Sequence, residues 1–191
     1  MRKSILLSVM LLVCTFAFAQ TQKGQVQLGG VFNFSKQEIS QNENNNFNFI
    51  PQAGYFVSDL TSLGVLLNIS NNNFKSPTAD LDRNLFEFGV FARFHKSVAD
   101  KLYMYIQPSL SFGSGENDNI VGGPSDLSTT AIRVSPGLLY FATPKIALEM
   151  RVGSVFYEQV KETTGGNEVS IDNYGLTFNL ANVNFGASFF L

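Results

Sequence analysis

The chain has 191 residues, 45% of them hydrophobic and 15% charged, with a formal net charge of −2, one cysteine, one histidine and no tryptophan. That length suits one domain, and that apolarity excludes intrinsic disorder. No stretch beyond the N-terminus approaches the roughly 20 apolar residues of a spanning helix, so a helical membrane protein is excluded as well.

The N-terminus reads as a secretory signal. Arg2 and Lys3 form its positive end, Ile5 to Val13 its apolar core, and Ala17-Phe18-Ala19 its cleavage site. Residues 1–19 are then removed, and 20–191 form a single domain beginning at Gln20. Cys14 lies inside the signal, and Val13 before it is not the small residue a lipoprotein needs. The mature chain has no thiol chemistry available. Without Arg2 and Lys3, eleven basic residues face fifteen acidic ones, a net −4 that argues against nucleic acid as a partner.

Eight strands follow in chain order, at about Gln25–Ser35, Phe47–Val57, Ser62–Ser70, Leu85–Phe94, Leu102–Gly113, Ala131–Phe141, Ile146–Tyr157 and Tyr174–Leu191. Ser58–Thr61, His95–Lys101 and Ala142–Lys145 are short connections. Lys36–Asn46, Asn71–Asn84, Ser114–Thr130 and Glu158–Asn173 are long and polar and read as loops. Short turns at one end and long loops at the other are the pattern of an outer-membrane barrel.

Each strand carries one uncharged, largely apolar face. The clearest is Phe86, Phe88, Val90, Ala92, Phe94, with Glu87 and Arg93 opposite. In the seventh strand this face takes Ile146, Leu148, Met150, Val152, Ser154 and Phe156. In the eighth it changes phase near Ala181-Asn182, as at a β-bulge. A charged Arg or Lys on such a face at mid-bilayer would cost ~2–4 kcal/mol. The chain therefore reads as all-β, an eight-stranded antiparallel up-and-down transmembrane β-barrel with hydrocarbon outside. Periodicity alone leaves open a soluble lipocalin-like carrier with the apolar face inward.

The opposite faces hold a polar set that includes Gln52, Asn68, Tyr105, Gln107, Tyr157 and Ser188, and five charges: Glu87, Arg93, Arg133, Glu149 and Arg151. A barrel this narrow has room for side chains and little else. The five charges are expected to pair across the lumen, because unpaired buried charge is costly. Such a cluster reads as a polar plug or, alternatively, as an ion path. Pro51, Pro108 and Pro136 fall inside strands, where each removes a ladder hydrogen bond, so bulges or strand ends are expected there.

No catalytic constellation is found. His95 sits in an expected periplasmic turn and reads as solvated. Glu116, Asp118 and Asp126, or Glu158, Glu162 and Glu168, match no calcium-loop spacing, and no Cys/His or carboxylate cluster has metal spacing. No cofactor or metal is expected, and no enzyme activity.

With the strands placed, the chain resembles the small outer-membrane β-barrel domain proteins, the OmpA/OmpX-like porin family. The resemblance is carried by Ile50 to Asp59 with Leu63-Gly64-Val65, by Phe88 to Phe94, by Ser135 to Phe141 and by the ending Val183 to Leu191. It implies the barrel, a location in the cell outer membrane, lipid as neighbour, and a C-terminal strand offered to the outer-membrane assembly machinery. Here the last residue is Leu191 where such strands usually end on an aromatic. The function expected is a structural or surface-interaction barrel showing four polar loops to a ligand outside the cell. The alternative is a small ion or solute channel.

Overall fold

The computed structural model describes residues 21–118, 123–178 and 183–191. Ten strand segments make up the described fold: β1 (Val26–Ile39), β2 (Asn42–Ser58), β3 (Thr61–Ser76), β4 (Ala79–Ala99), β5 (Leu102–Asn117), β6 (Ser125–Thr143), β7 (Ile146–Arg151), β8 (Ser154–Thr164), β9 (Asn167–Thr177) and β10 (Asn184–Phe190). All pairings are antiparallel. The order β5-β4-β3-β2-β1-β10-β7-β6 returns to β5 through a β5–β6 ladder, which closes a ring of eight. β8 continues up β6 beyond β7, and β9 pairs with β8. The two ends of the described chain meet: Val26 and Leu191 exchange both backbone hydrogen bonds, at 3.0 and 2.9 Å.

Two expected strands are thus each divided. Between Gly137↔Arg151 and Val134↔Val155, β6 contributes two residues and its partner three. That is a bulge, and it flips the alternation. Val155 and Tyr157 face outward, while Glu158 turns inward; the phase expected for Phe156 and Tyr157 is reversed. Gly153 makes the corner with φ +68°, and a Cβ there would lie 2.0 Å from the Thr177 carbonyl oxygen. The expected eighth strand becomes β9 and β10. Its anticipated change of phase at Ala181-Asn182 lies outside the described residues.

The expected long loops are also corrected. β1 and β2 run on until only Ser40-Gln41 remain between them, β3 and β4 until Pro77-Thr78, and β8 and β9 turn at Gly165-Gly166. Asparagine is a poor strand former, but here amides meet amides across the ladder. Asn45 faces Asn73 and Asn46 faces Asn72. Asn72 donates to Asn44 at 2.9 Å, and Asn71 to Asn84 at 2.6 Å. Polar composition suggested loops; side-chain pairing extends the strands.

The prolines are accommodated on one side each. In an antiparallel ladder a residue's N–H and C=O point to the same neighbour, so a missing N–H disturbs one ladder only. The β2–β3 ladder skips from Phe49↔Ile69 to Gln52↔Leu66 at Pro51, while Gly30↔Pro51 persists on the other side. The β4–β5 ladder skips from Phe91↔Ser109 to Phe94↔Ile106 at Pro108, while Pro108↔Val134 persists. Pro136 stays paired with Ile106 and faces the bulge, where Val152 N–H donates to its carbonyl at 3.3 Å.

The ring is inside out relative to a soluble sandwich. Phe86, Phe88 and Val90 are each 50% exposed, whereas Glu87 and Arg93 are 0% exposed. This removes the carrier alternative with its apolar face inward. Alternation also sorts the aromatics at the short-turn end. Tyr55, Phe94, Tyr140 and Phe189 face out; Phe56, Tyr103, Phe141 and Phe190 face in and are buried.

Candidate functional site

The interior has three levels. At the short-turn end, Phe56, Tyr103, Tyr105, Leu139, Phe141, Ala147 and Phe190 form an apolar floor. Phe141 packs on Phe190 at 4.8 Å between ring centroids, and Tyr103 meets Phe141 edge-on at 5.5 Å, contacts of the kind that give aromatic pairs their geometric preference. His95 belongs to this floor, which corrects its expected place in a solvated turn. β4 stays paired with β5 as far as Ala99↔Leu102, so residue 95 keeps the inward phase of Arg93. Its ring stacks on Phe56 at 5.1 Å, and neither ring nitrogen has a hydrogen-bond partner.

Above the floor lies an ionic layer centred on Glu149. Arg93 reaches this carboxylate through both terminal nitrogens, at 2.9 and 3.3 Å. Tyr105 Oη donates to it at 2.6 Å and Ser188 Oγ at 2.9 Å. Arg93 Nε donates to Gln107 at 2.7 Å, and its guanidinium lies 4.1 Å from the Tyr105 ring centroid. Arg151 is held more loosely, with Nη2 contacts of 3.4 to 3.5 Å to Gln52, Gln107 and Glu149. Two guanidiniums thus share one carboxylate.

The third level is a vestibule of about 630 Å³, lined by Asn, Ser and Thr side chains with Arg83, Glu87, Arg133, Arg151 and Glu158. Glu87 accepts from Ser111 at 3.1 Å, from Arg133 at 3.1 Å and from Asn68. Arg133 reaches Glu158 with its other nitrogen at 2.6 Å.

The five charges anticipated in the lumen fall into two groups. Arg93, Glu149 and Arg151 meet in the ionic layer; Glu87 and Arg133 meet at the vestibule wall. Glu158 joins the second group. Its segment, Glu158–Asn173, has loop composition, and the sequence signal for its inward place is Gly153, a corner residue preceding an alternation of opposite phase. Glu162 and Glu168 do not join it: Glu162 accepts from Ser125, and Glu168 pairs with Lys161 at 3.1 Å. Among the described residues no group of three or more His, Cys, Asp or Glu could hold a metal ion.

The model of the family described as outer membrane protein beta-barrel domain matches residues 5–189. Among solved structures, the chain is similar to the outer membrane protein OprG from Pseudomonas aeruginosa, with 10% identity, 90% of this chain and 98% of that one covered, and a TM-score of 0.50. It is also similar to Ail of Yersinia pestis (13% identity, 89% and 100% covered, TM-score 0.48) and to Neisserial surface protein A (18%, 86% and 95%, 0.47). At these identities the likeness concerns the fold alone. No curated protein matches the chain.

Proposed function

This chain belongs to the family of outer membrane protein beta-barrel domains, and from that premise we propose that it is an eight-stranded up-and-down transmembrane barrel with a plugged lumen and a structural or surface-interaction role. It resides in the outer membrane, with lipid against the exposed Phe, Val and Leu faces. In this reading the short turns face the periplasm, and the extended hairpins stand outside, where they meet an extracellular ligand or surface. Rigid strand extensions suit recognition because little order has to be gained on binding. The last strand and Leu191 serve as the segment read by the assembly machinery, and residues 1–19 as the export signal.

The observation that carries the proposal is the closed stack beneath the vestibule. A charge-balanced ion path needs water, but Arg93 and Glu149 have side chains that are 0% exposed, and below them lie packed rings. The reading favours a plug over a channel. Protein reconstituted in planar bilayers is expected to show no steady conductance, while it shifts mobility on heating and fractionates with the outer membrane. Steady single-channel current abolished by Glu149→Gln would instead establish the channel.

A further inference from the structure

We propose that the outer vestibule is a binding pocket for a compact oxyanion, presented as free phosphate or on a sugar, and that Arg151 is the group that recognises it. The inference rests on the reading that the lumen is closed below Arg151. Its basis is a mismatch of donors and acceptors at that level. The best positions on Glu149 are taken by Arg93, Tyr105 and Ser188, at 2.6 to 2.9 Å. Arg151 is 6% exposed, its contacts to Gln52, Gln107 and Glu149 are 3.4 to 3.5 Å and run through Nη2, and its Nε has no partner. A guanidinium carries five N–H donors and binds carboxylate or phosphate with two in parallel. Arg151 lines the vestibule, so a ligand entering from outside supplies the acceptors that Glu149 does not.

The other charges facing this space leave it open to an anion. Glu87 and Glu158 would repel an anion, but Arg133 lies 3.1 and 2.6 Å from them, and Asn68 and Ser111 also donate to Glu87. Arg83 stands on the lining with no ion-pair partner among the described residues and adds attraction on the way in. The volume, about 630 Å³, is that of a small-molecule pocket. Amide and hydroxyl walls such as Asn46, Asn72 and Ser70 offer partners to sugar hydroxyls rather than to an apolar ligand.

The test uses the protein extracted from outer membranes in detergent, at fixed ionic strength, titrated with inorganic phosphate, glucose 1-phosphate or glucose. Binding is read by calorimetry and by the arginine Nε–H resonances. Saturable binding of phosphate compounds that shifts the Arg151 signal, with none for glucose, is expected. Equal affinity for both phosphates identifies the free anion as ligand, and preference for the ester identifies the sugar phosphate. Arg151→Gln is expected to weaken binding at least tenfold. Ser70→Phe, which projects a ring into the vestibule and leaves the ionic layer intact, is expected to weaken it as well; the heat-dependent band shift verifies that both variants fold. No saturable binding of either phosphate, or full affinity in Arg151→Gln, overturns the proposal. Conductance of the same sample tests the closed lumen separately: current would refute the plug while the titration still reports on Arg151.

Discussion

The two arginines of the ionic layer give the sharpest test of how this lumen is held together. Glu149→Gln keeps the side-chain volume but leaves Arg93 and Arg151 as buried guanidiniums with no counter-charge. Removing one partner of a buried pair costs about 3–5 kcal/mol, because the charge left behind is uncompensated. The upper part of that range applies here, since both Arg93 and Glu149 are fully enclosed and the carboxylate also accepts from Tyr105 and Ser188. Arg151→Met removes a cation whose contacts to Gln52, Gln107 and Glu149 are at 3.4 Å or longer, and leaves Glu149 with its close partners. Its expected effect lies within about 1 kcal/mol of zero, the magnitude of one modest hydrogen bond. Urea unfolding in lipid vesicles measures both. With six tyrosines and no tryptophan, tyrosine emission and the heat-dependent band shift are the probes. Equal losses for the two variants, or a Glu149→Gln loss below about 1 kcal/mol, would refute the assignment of Arg93–Glu149 as the pair that closes the lumen.

Three further outcomes follow from the same geometry. Val90→Arg places a charge on the lipid-facing wall and is expected to cost ~2–4 kcal/mol at mid-bilayer, read by unfolding from vesicles; a negligible loss would mean the wall does not face hydrocarbon. His95→Phe is expected to be neutral or stabilising in the same assay, since both ring nitrogens lack partners and the neighbours are aromatic; a loss above about 2 kcal/mol, typical of a broken buried hydrogen-bond network, would indicate a partner for the imidazole. Gly153→Ala meets the Thr177 carbonyl and requires positive φ, and is expected to destabilise by about 1–3 kcal/mol.

The fold class was legible in the sequence because a bilayer-facing wall tolerates no charge, and alternation carries that constraint through nearly every strand. Phe86 to Phe94 alone fixes the phase of β4. Strand lengths were not legible. The Asn-rich segments have loop composition, and only the cross-strand meeting of Asn44, Asn46 and Asn72 turns them into ladder. His95 differs for a related reason: the polar run His95–Lys101 has turn composition, whereas the β4–β5 ladder continues through Lys96 to Ala99 and keeps residue 95 in the inward phase. The five lumen charges could be picked out by face, but their separation into two groups depends on height along the barrel, which periodicity does not encode.

The break between β7 and β8 links a defect in the wall to the chemistry inside it. Pro136 offers no N–H toward β7, and an unbroken partner strand would leave a carbonyl unmet in a wall that cannot borrow water. The extra residue at Val152–Ser154 relieves this, since Val152 turns its N–H to the Pro136 carbonyl and Gly153 makes the corner. One added residue also exchanges the two faces of everything above it. Tyr157 goes to the outside, where an aromatic ring suits a membrane interface, and Glu158 goes to the inside, 2.6 Å from Arg133. Without that exchange Arg133 would keep Glu87 alone, and a carboxylate would point at lipid. The proline in β6 and the glycine at the corner between β7 and β8 therefore act together to set the charge content of the vestibule, although neither side chain carries a charge.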